Sequence, residues 1–181
     1  YYRKDLLAAK GFAPPRTWDR LVREAKALQT PDRAGFVFQG KQYEGLVCDY
    51  LEFLWGFGGD FLDPHGRVAL DSPQAVAALT ALTDAVRKDK ISPEAVLTYQ
   101  EEEARHAFQE GHAVFMRNWP YAWNLMQAKD SPVRGKVGMI PMVAGPGGER
   151  AATLGGWGFG VSSFSKHPDA AWKLALFFST P

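Results

Sequence analysis

Residues 100–123 read QEEEARHAFQEGHAVFMRNWPYAW, and this stretch decides the fold class. A helix runs from about Gln100 to Glu110, and Gly111 ends it. Ala113 to Met116 is a short, wholly apolar run, the mark of a buried strand. Pro120 then opens another helix, which continues to about Ala128. Helix, buried strand and helix follow one another within thirty residues, the alternation of an α/β layer.

The same alternation continues outward. On the N-terminal side, Thr17 is the expected N-cap of a helix over residues 18–28, with Trp18, Leu21, Val22, Ala25 and Leu28 on one face. Thr30-Pro31-Asp32 stops it, and Phe36 to Phe38 forms a short strand closed by Gly40. A second helix covers Glu44 to Trp55, with Leu46, Val47, Tyr50, Leu51 and Leu54 turned inward. Asp63 to Gly66 is a turn, and Val68 to Leu70 is extended. Ser72-Pro73 gives the sharpest helix start in the chain, for a helix carrying Val76, Leu79, Thr83 and Val86. On the C-terminal side, Val137 to Ile140 reads as a strand, Gly145 to Gly148 as a turn and Gly155 to Val161 as a Gly-rich extended segment. His167-Pro168-Asp169 starts a last helix, with Trp172, Leu174, Ala175 and Phe178 available for burial. One boundary, near residues 144–152, divides the pattern.

Composition excludes several functions. A net charge of +1 over 181 residues gives no basic field for nucleic acid. Cys48 is the lone cysteine, so no internal disulfide or cysteine-rich metal site forms. His65, His106, His112 and His167 lack the spacing of a helical zinc site, so no metal or cofactor is expected. The run Gly155 to Gly160 is not G-x-G-x-x-G, and a Trp within it would block a pyrophosphate. No G-x-S-x-G elbow is present. Glu44, Asp49, Glu52 and Asp60 are acids near aromatic residues, a weak basis for a glycosidase pair. Glu101 to Glu103 read as the solvated first turn of a helix. No run is long and apolar enough for a transmembrane helix, and no signal peptide is seen. Tyr1-Tyr2 reads as the interior of a longer gene product.

The aromatic content, 13%, carries the functional signal. Trp119 and Tyr121 follow a strand and open a helix, where side chains project into the groove at a strand's carboxyl end. Trp157 stands among glycines with little to cover its ring. Exposed rings stack on the apolar C–H faces of pyranoses, while polar groups take the hydroxyls. Trp123 and Trp172, at interior helix positions, read as core.

Five blocks then resemble, in order, the family 1 extracellular solute-binding proteins of ABC sugar importers, with a likeness to the trehalose/maltose-binding type. They are Tyr1 to Leu7 with Gly11 to Trp18; Leu54 to Gly59; Phe108 to Met116; Asn118 to Trp123; and Gly155 to Trp157 with Gly160-Val161. The resemblance implies one lobe of a two-lobed periplasmic-binding-protein type II fold, with helices around a short mixed sheet. Residues 1–150 would be the C-terminal lobe, and 151–181 a hinge return and helix that normally join the N-terminal lobe. It implies a non-enzymatic receptor that binds an α-linked disaccharide such as trehalose or maltose between lobes. The receptor would hand its sugar to a membrane permease from the periplasm or the cell exterior, held there by the permease or a lipid anchor. The ligand residues implied are Trp119, Tyr121, Gly156 and Trp157, with Tyr43 and Glu44 as a further contact. Without the N-terminal lobe the segment would bind sugar weakly, and its exposed return could pair with a second copy. A glycoside hydrolase and a single-platform lectin-like module are the alternatives.

Overall fold

The computed structural model describes residues 1–180. At its centre lies β3 (Ala113–Met116), the apolar run read from sequence, all four residues buried. Parallel to it runs β2 (Ala34–Val37), in register Ala34 to Ala113, Phe36 to Phe115 and Val37 to Met116. On its other side lies β1 (Tyr2–Arg3), antiparallel, followed by β4 (Val137–Gly138). The order β2-β3-β1-β4 makes a short mixed sheet. Its helices are α1 (Lys4–Ala9), α2 (Trp18–Leu28), α3 (Glu44–Gly56), α4 (Pro73–Arg87), α5 (Glu101–Gln109), α6 (Ala122–Met126) and α7 (Pro168–Ser179). A 3-10 turn, Glu94–Thr98, precedes α5.

The helix α2 has the bounds read from sequence, and Trp18, Leu21, Ala25 and Leu28 are buried on its inner face. Trp18 packs edge-to-face on Phe36 of β2 and Phe53 of α3 at 5.7 and 4.9 Å between ring centres. Thr17, however, does not cap it with its side chain. The Trp18 N–H instead donates to the Ala144 carbonyl at 2.8 Å, so a residue distant in sequence supplies the partner for that end of the helix. At α4 the sequence signal is met directly: Pro73 is the first helical residue and Ser72 Oγ accepts the Ala75 N–H.

Two helices turn a different face inward from the one expected. In α3 the buried residues are Gly45, Asp49, Glu52, Phe53, Leu54 and Gly56, while Val47 is exposed. The cause is Arg117, at the end of β3, which draws both acids inward. In α4 the buried stripe is Ala75, Ala78, Leu82 and Ala85, and Val76, Leu79 and Thr83 face out. Alanines let α4 lie close against α3, where the Tyr50 hydroxyl donates to the Ala75 carbonyl at 3.2 Å.

Other elements are shorter than the pattern suggested. The helix after Pro120 ends at Met126, Trp123 is only half-buried, and the strand from Val137 stops at Gly138. Residues 155–161 form no strand or helix. On α7 only Ala175 is buried; Trp172, Leu174 and Phe178 are more than half exposed, so the expectation of core roles fails there. Phe159 stacks on Phe178 at 5.9 Å between ring centres, and the rest of that apolar face is open.

Lys90 adopts φ of 51°, a left-handed conformation costly for a residue with a Cβ. Replacing Lys90 with Gly relieves that strain and outweighs glycine's extra unfolded-state entropy, for a net gain of about 0.5–1 kcal/mol. The measurement is the urea midpoint of Lys90→Gly against wild type.

Candidate functional site

Where β3 ends, the chain passes through Arg117 and Asn118 to Trp119, Pro120 and Tyr121, and this exit forms one wall of a groove of about 680 Å³. The start of α3 also lines it, with Tyr43, Glu44, Gly45 and Cys48. Glu101, at the start of α5, also lines the groove, and Thr153 to Trp157 completes it. The structure therefore brings Tyr43, Glu44, Trp119, Tyr121, Gly156 and Trp157 to one place, although up to 114 positions separate them in sequence (157 − 43).

Each ring is held differently. Trp119 is half-buried, and its backbone N–H donates to Asn118 Oδ1 at 2.8 Å. Its indole Nε1 donates to Glu101 Oε1 at 3.1 Å. The Arg117 guanidinium lies 4.1 Å from its ring centre, a cation–π contact. Gly155 presses on its edge: a Cβ there would lie 3.0 Å from Cζ3. Tyr121 is 41% exposed, and its hydroxyl donates to Glu102 Oε1 at 2.5 Å. Burial, then that carboxylate, pushes the Tyr121 phenol well above its usual range. Burial and the nearby Glu101 carboxylate do the same to Tyr43, whose hydroxyl atom is buried without a hydrogen-bond partner. Trp157 is fully exposed, and no atom beyond the adjoining residues lies within 4 Å of where a Gly156 Cβ would stand.

Beneath the groove is a buried ion cluster. Arg117 donates to Glu52 through Nε at 2.8 Å and Nη2 at 2.6 Å, and through Nη1 to Gln39 Oε1 at 3.0 Å. Its Nε also lies 2.9 Å from Asp49 Oδ1, but that oxygen has no well-directed hydrogen bond, and Asp49 Oδ2 accepts the Gln39 N–H. Arg117, Asp49 and Glu52 are all at least 96% buried. Burial, opposed in part by Arg117 and reinforced by Glu52, holds the Asp49 pKa well above the usual carboxylate range. The cluster also anchors the segment that completes the groove: the Thr153 N–H donates to Glu52 Oε1 at 3.1 Å and its hydroxyl to the Cys48 carbonyl at 2.9 Å.

These contacts assign work that the sequence did not reveal. Glu101 and Glu102 are hydrogen-bonded to the aromatic wall and are not merely a solvated turn. Asp49 and Glu52, two of the four acids weighed for a glycosidase pair, face Arg117 below the groove. Among the described residues no group of acids, histidines or cysteines could hold a metal ion. A second hollow of about 710 Å³ lies at the opposite ends of β2 and β3, but its Lys26, Arg33 and His112 are already engaged by Asp89, the Leu28 carbonyl and the Asp32 carbonyl. The aromatic groove is the stronger candidate.

The model of the bacterial extracellular solute-binding protein family matches residues 1–181. The chain belongs to the bacterial extracellular solute-binding proteins. Among curated relatives, this solute-binding protein is 46% identical to a probable ABC transporter-binding protein of Deinococcus radiodurans, over 99% of this chain and 44% of that one. It is 30% identical to a putative binding protein of Brucella abortus, over 98% of this chain and 43% of the other. Among solved structures it overlays on the maltose-bound MalE3 of T. maritima with a TM-score of 0.94 and 56% identity, over 99% of this chain and 47% of that one. It overlays on a ribitol-bound solute-binding protein of Agrobacterium radiobacter with a TM-score of 0.87 and 30% identity, over 98% and 45%. The solute-binding chain thus spans less than half the length of these relatives, and its α/β architecture is that of one lobe of a periplasmic-binding-protein fold. No helix among the described residues is long and apolar enough to cross a membrane.

Proposed function

We propose that the groove is half of a sugar site, and that the whole protein closes a second lobe over an α-linked disaccharide such as maltose or trehalose and delivers it to an ABC import permease. One observation carries the reading: Trp119, Tyr121 and the fully exposed Trp157 line a common groove. Rings so placed offer apolar faces to pyranose C–H groups, and Glu44, which also lines the groove, accepts hydroxyl protons. The proteins it overlays on are bound to maltose and ribitol, which agrees with a polyhydroxylated ligand.

In this reading residues 1–150 form the C-terminal lobe, and residues 151–181 are a return segment that joins the other lobe. The exposed apolar side chains of the return, Phe164, Trp172, Leu174 and Phe177, suit a surface that the rest of the protein covers. Expressed without that remainder, the same surface favours pairing with a second copy and the half-groove binds sugar weakly. The protein acts as a receptor outside the cytoplasm, held at the membrane by its permease or a lipid anchor.

The test is a tryptophan-fluorescence titration with maltose, trehalose and sucrose, using the protein with its flanking chain restored. Trp157→Ala and Trp119→Ala each cost about 1–3 kcal/mol of affinity, by analogy with base stacking on aromatic rings, or roughly 5–150-fold in Kd. No saturable response to any sugar, or unchanged affinity in both variants, overturns the reading.

A further inference from the structure

We infer that the consecutive carboxylates Glu101 and Glu102 are positioning residues that set the orientation of the aromatic wall, one ring each. The inference rests on the sugar-site reading for its purpose, but its geometry stands independently. Glu101 Oε1 accepts the Trp119 indole N–H at 3.1 Å, and Glu102 Oε1 accepts the Tyr121 hydroxyl proton at 2.5 Å. The backbone is locked to the same register, because Asn118 Nδ2 donates to the Glu101 carbonyl at 2.9 Å while Asn118 Oδ1 accepts the Trp119 N–H.

Why this pair acts on orientation follows from what each ring lacks. A half-buried indole keeps two soft side-chain torsions, and the broad second one lets the plane tilt with little resistance. Arg117 below the face and Gly155 at the benzo edge limit where the Trp119 ring can lie. Neither contact is directed at the pyrrole nitrogen; only Glu101 fixes that end. Tyr121 has the same need at its hydroxyl, and Glu102 meets it while Arg105 braces the carboxylate through Nε at 3.0 Å. That ion pair, the first cause, and then the Tyr121 hydroxyl lower the Glu102 pKa to about 2, so it remains an acceptor at any physiological pH. A stacking platform binds only if its plane meets the ligand, so fixing the planes in advance removes an ordering cost from binding.

The experiment uses the restored protein with maltose as the probe, and near-UV circular dichroism as a reading that needs no ligand. Glu101→Ala should weaken maltose binding about tenfold and remove the Trp119 contribution to the near-UV spectrum, taken as the difference between wild type and Trp119→Phe. Glu101→Gln, whose amide oxygen still accepts the indole N–H, should restore the spectrum and stay within about threefold of wild-type affinity. In the Trp119→Phe background, which has no indole N–H, Glu101→Ala should change affinity less than twofold. A wild-type spectrum in Glu101→Ala, or an equal loss of affinity in both backgrounds, overturns the inference. If the restored wild type binds no sugar, the sugar reading fails, and the spectra alone decide whether Glu101 holds the ring.

Discussion

Replacing Arg117 with Ala is expected to destabilise this lobe by about 3–5 kcal/mol at neutral pH, because it leaves Asp49 and Glu52 buried without a cation. Both acids are at most 3% exposed, so water cannot take the guanidinium's place. The substitution also removes the support beneath Trp119 and frees Gln39 Oε1. Its signature is a pH dependence. With the cation gone, protonating the acids relieves the buried charge, so the variant regains stability as the pH falls from 7 toward 5. Urea midpoints of wild type and Arg117→Ala at the two pH values measure this. A loss below 1 kcal/mol at neutral pH would mean that the cluster is solvated and does not support the groove. The expected loss of about 3–5 kcal/mol would, in the proposed sugar site, also lower affinity, because Thr153 hangs from Glu52 and brings residues 153–157 to the groove.

Much of this arrangement was legible in the sequence, for reasons specific to each element. The strand Ala113–Met116 was readable because four consecutive apolar residues bounded by Gly111-His112 on one side and Arg117 on the other leave few alternatives. The helix beginning at Pro73 was readable because Ser and Pro carry their capping geometry with them. The aromatic groove residues stood out because their rings sit beside Gly or Pro, where burial is hard. What escaped was set at a distance. The inward faces of α3 and α4 follow from Arg117, 65 positions from Glu52, and from alanines whose smallness matters only against a neighbouring helix. A periodicity of large apolar residues cannot register either cause, so Val47, Val76 and Leu79 were placed inward when they point out. Glu101 and Glu102 were read as solvated for the same reason: their partners lie 18 and 19 positions away, across a helix, a strand and a turn. The short β1 escaped because two residues carry no period; it forms by pairing with Phe115, Val137 and Gly138.

The stability of the wild-type protein should fall as pH rises above the ordinary carboxylate range, and Asp49→Asn should abolish much of that fall. The sign follows from charge counting. One guanidinium faces two carboxylates, and Glu52 takes it with two well-directed hydrogen bonds, so Asp49 is the acid left in surplus. Its folded-state pKa is raised, so the folded protein retains a proton that the unfolded chain has already released. Stability is therefore lost between the unfolded value, about 3.9, and the raised folded one, and levels off above it. Glu102 acts in the other direction, since its lowered pKa of about 2 means that its contribution is present above about pH 4.3 and lost below, but it is half exposed and its effect is small. Urea midpoints taken from pH 4.5 upward isolate Asp49. The same counting ranks the cluster's substitutions. Asp49→Asn keeps an oxygen for the Gln39 N–H and leaves the Arg117–Glu52 pair intact, so it should cost least at neutral pH. Glu52→Gln breaks directed bonds to Arg117, but Asp49 can then ionise beside the same cation, which limits the loss to about 1–3 kcal/mol. Arg117→Ala has no such reserve, because no second cation is hydrogen-bonded to either acid among the described residues. If Asp49→Asn instead proved as damaging as Arg117→Ala, Asp49 would be the ionised partner and the wild-type slope would have the opposite sign.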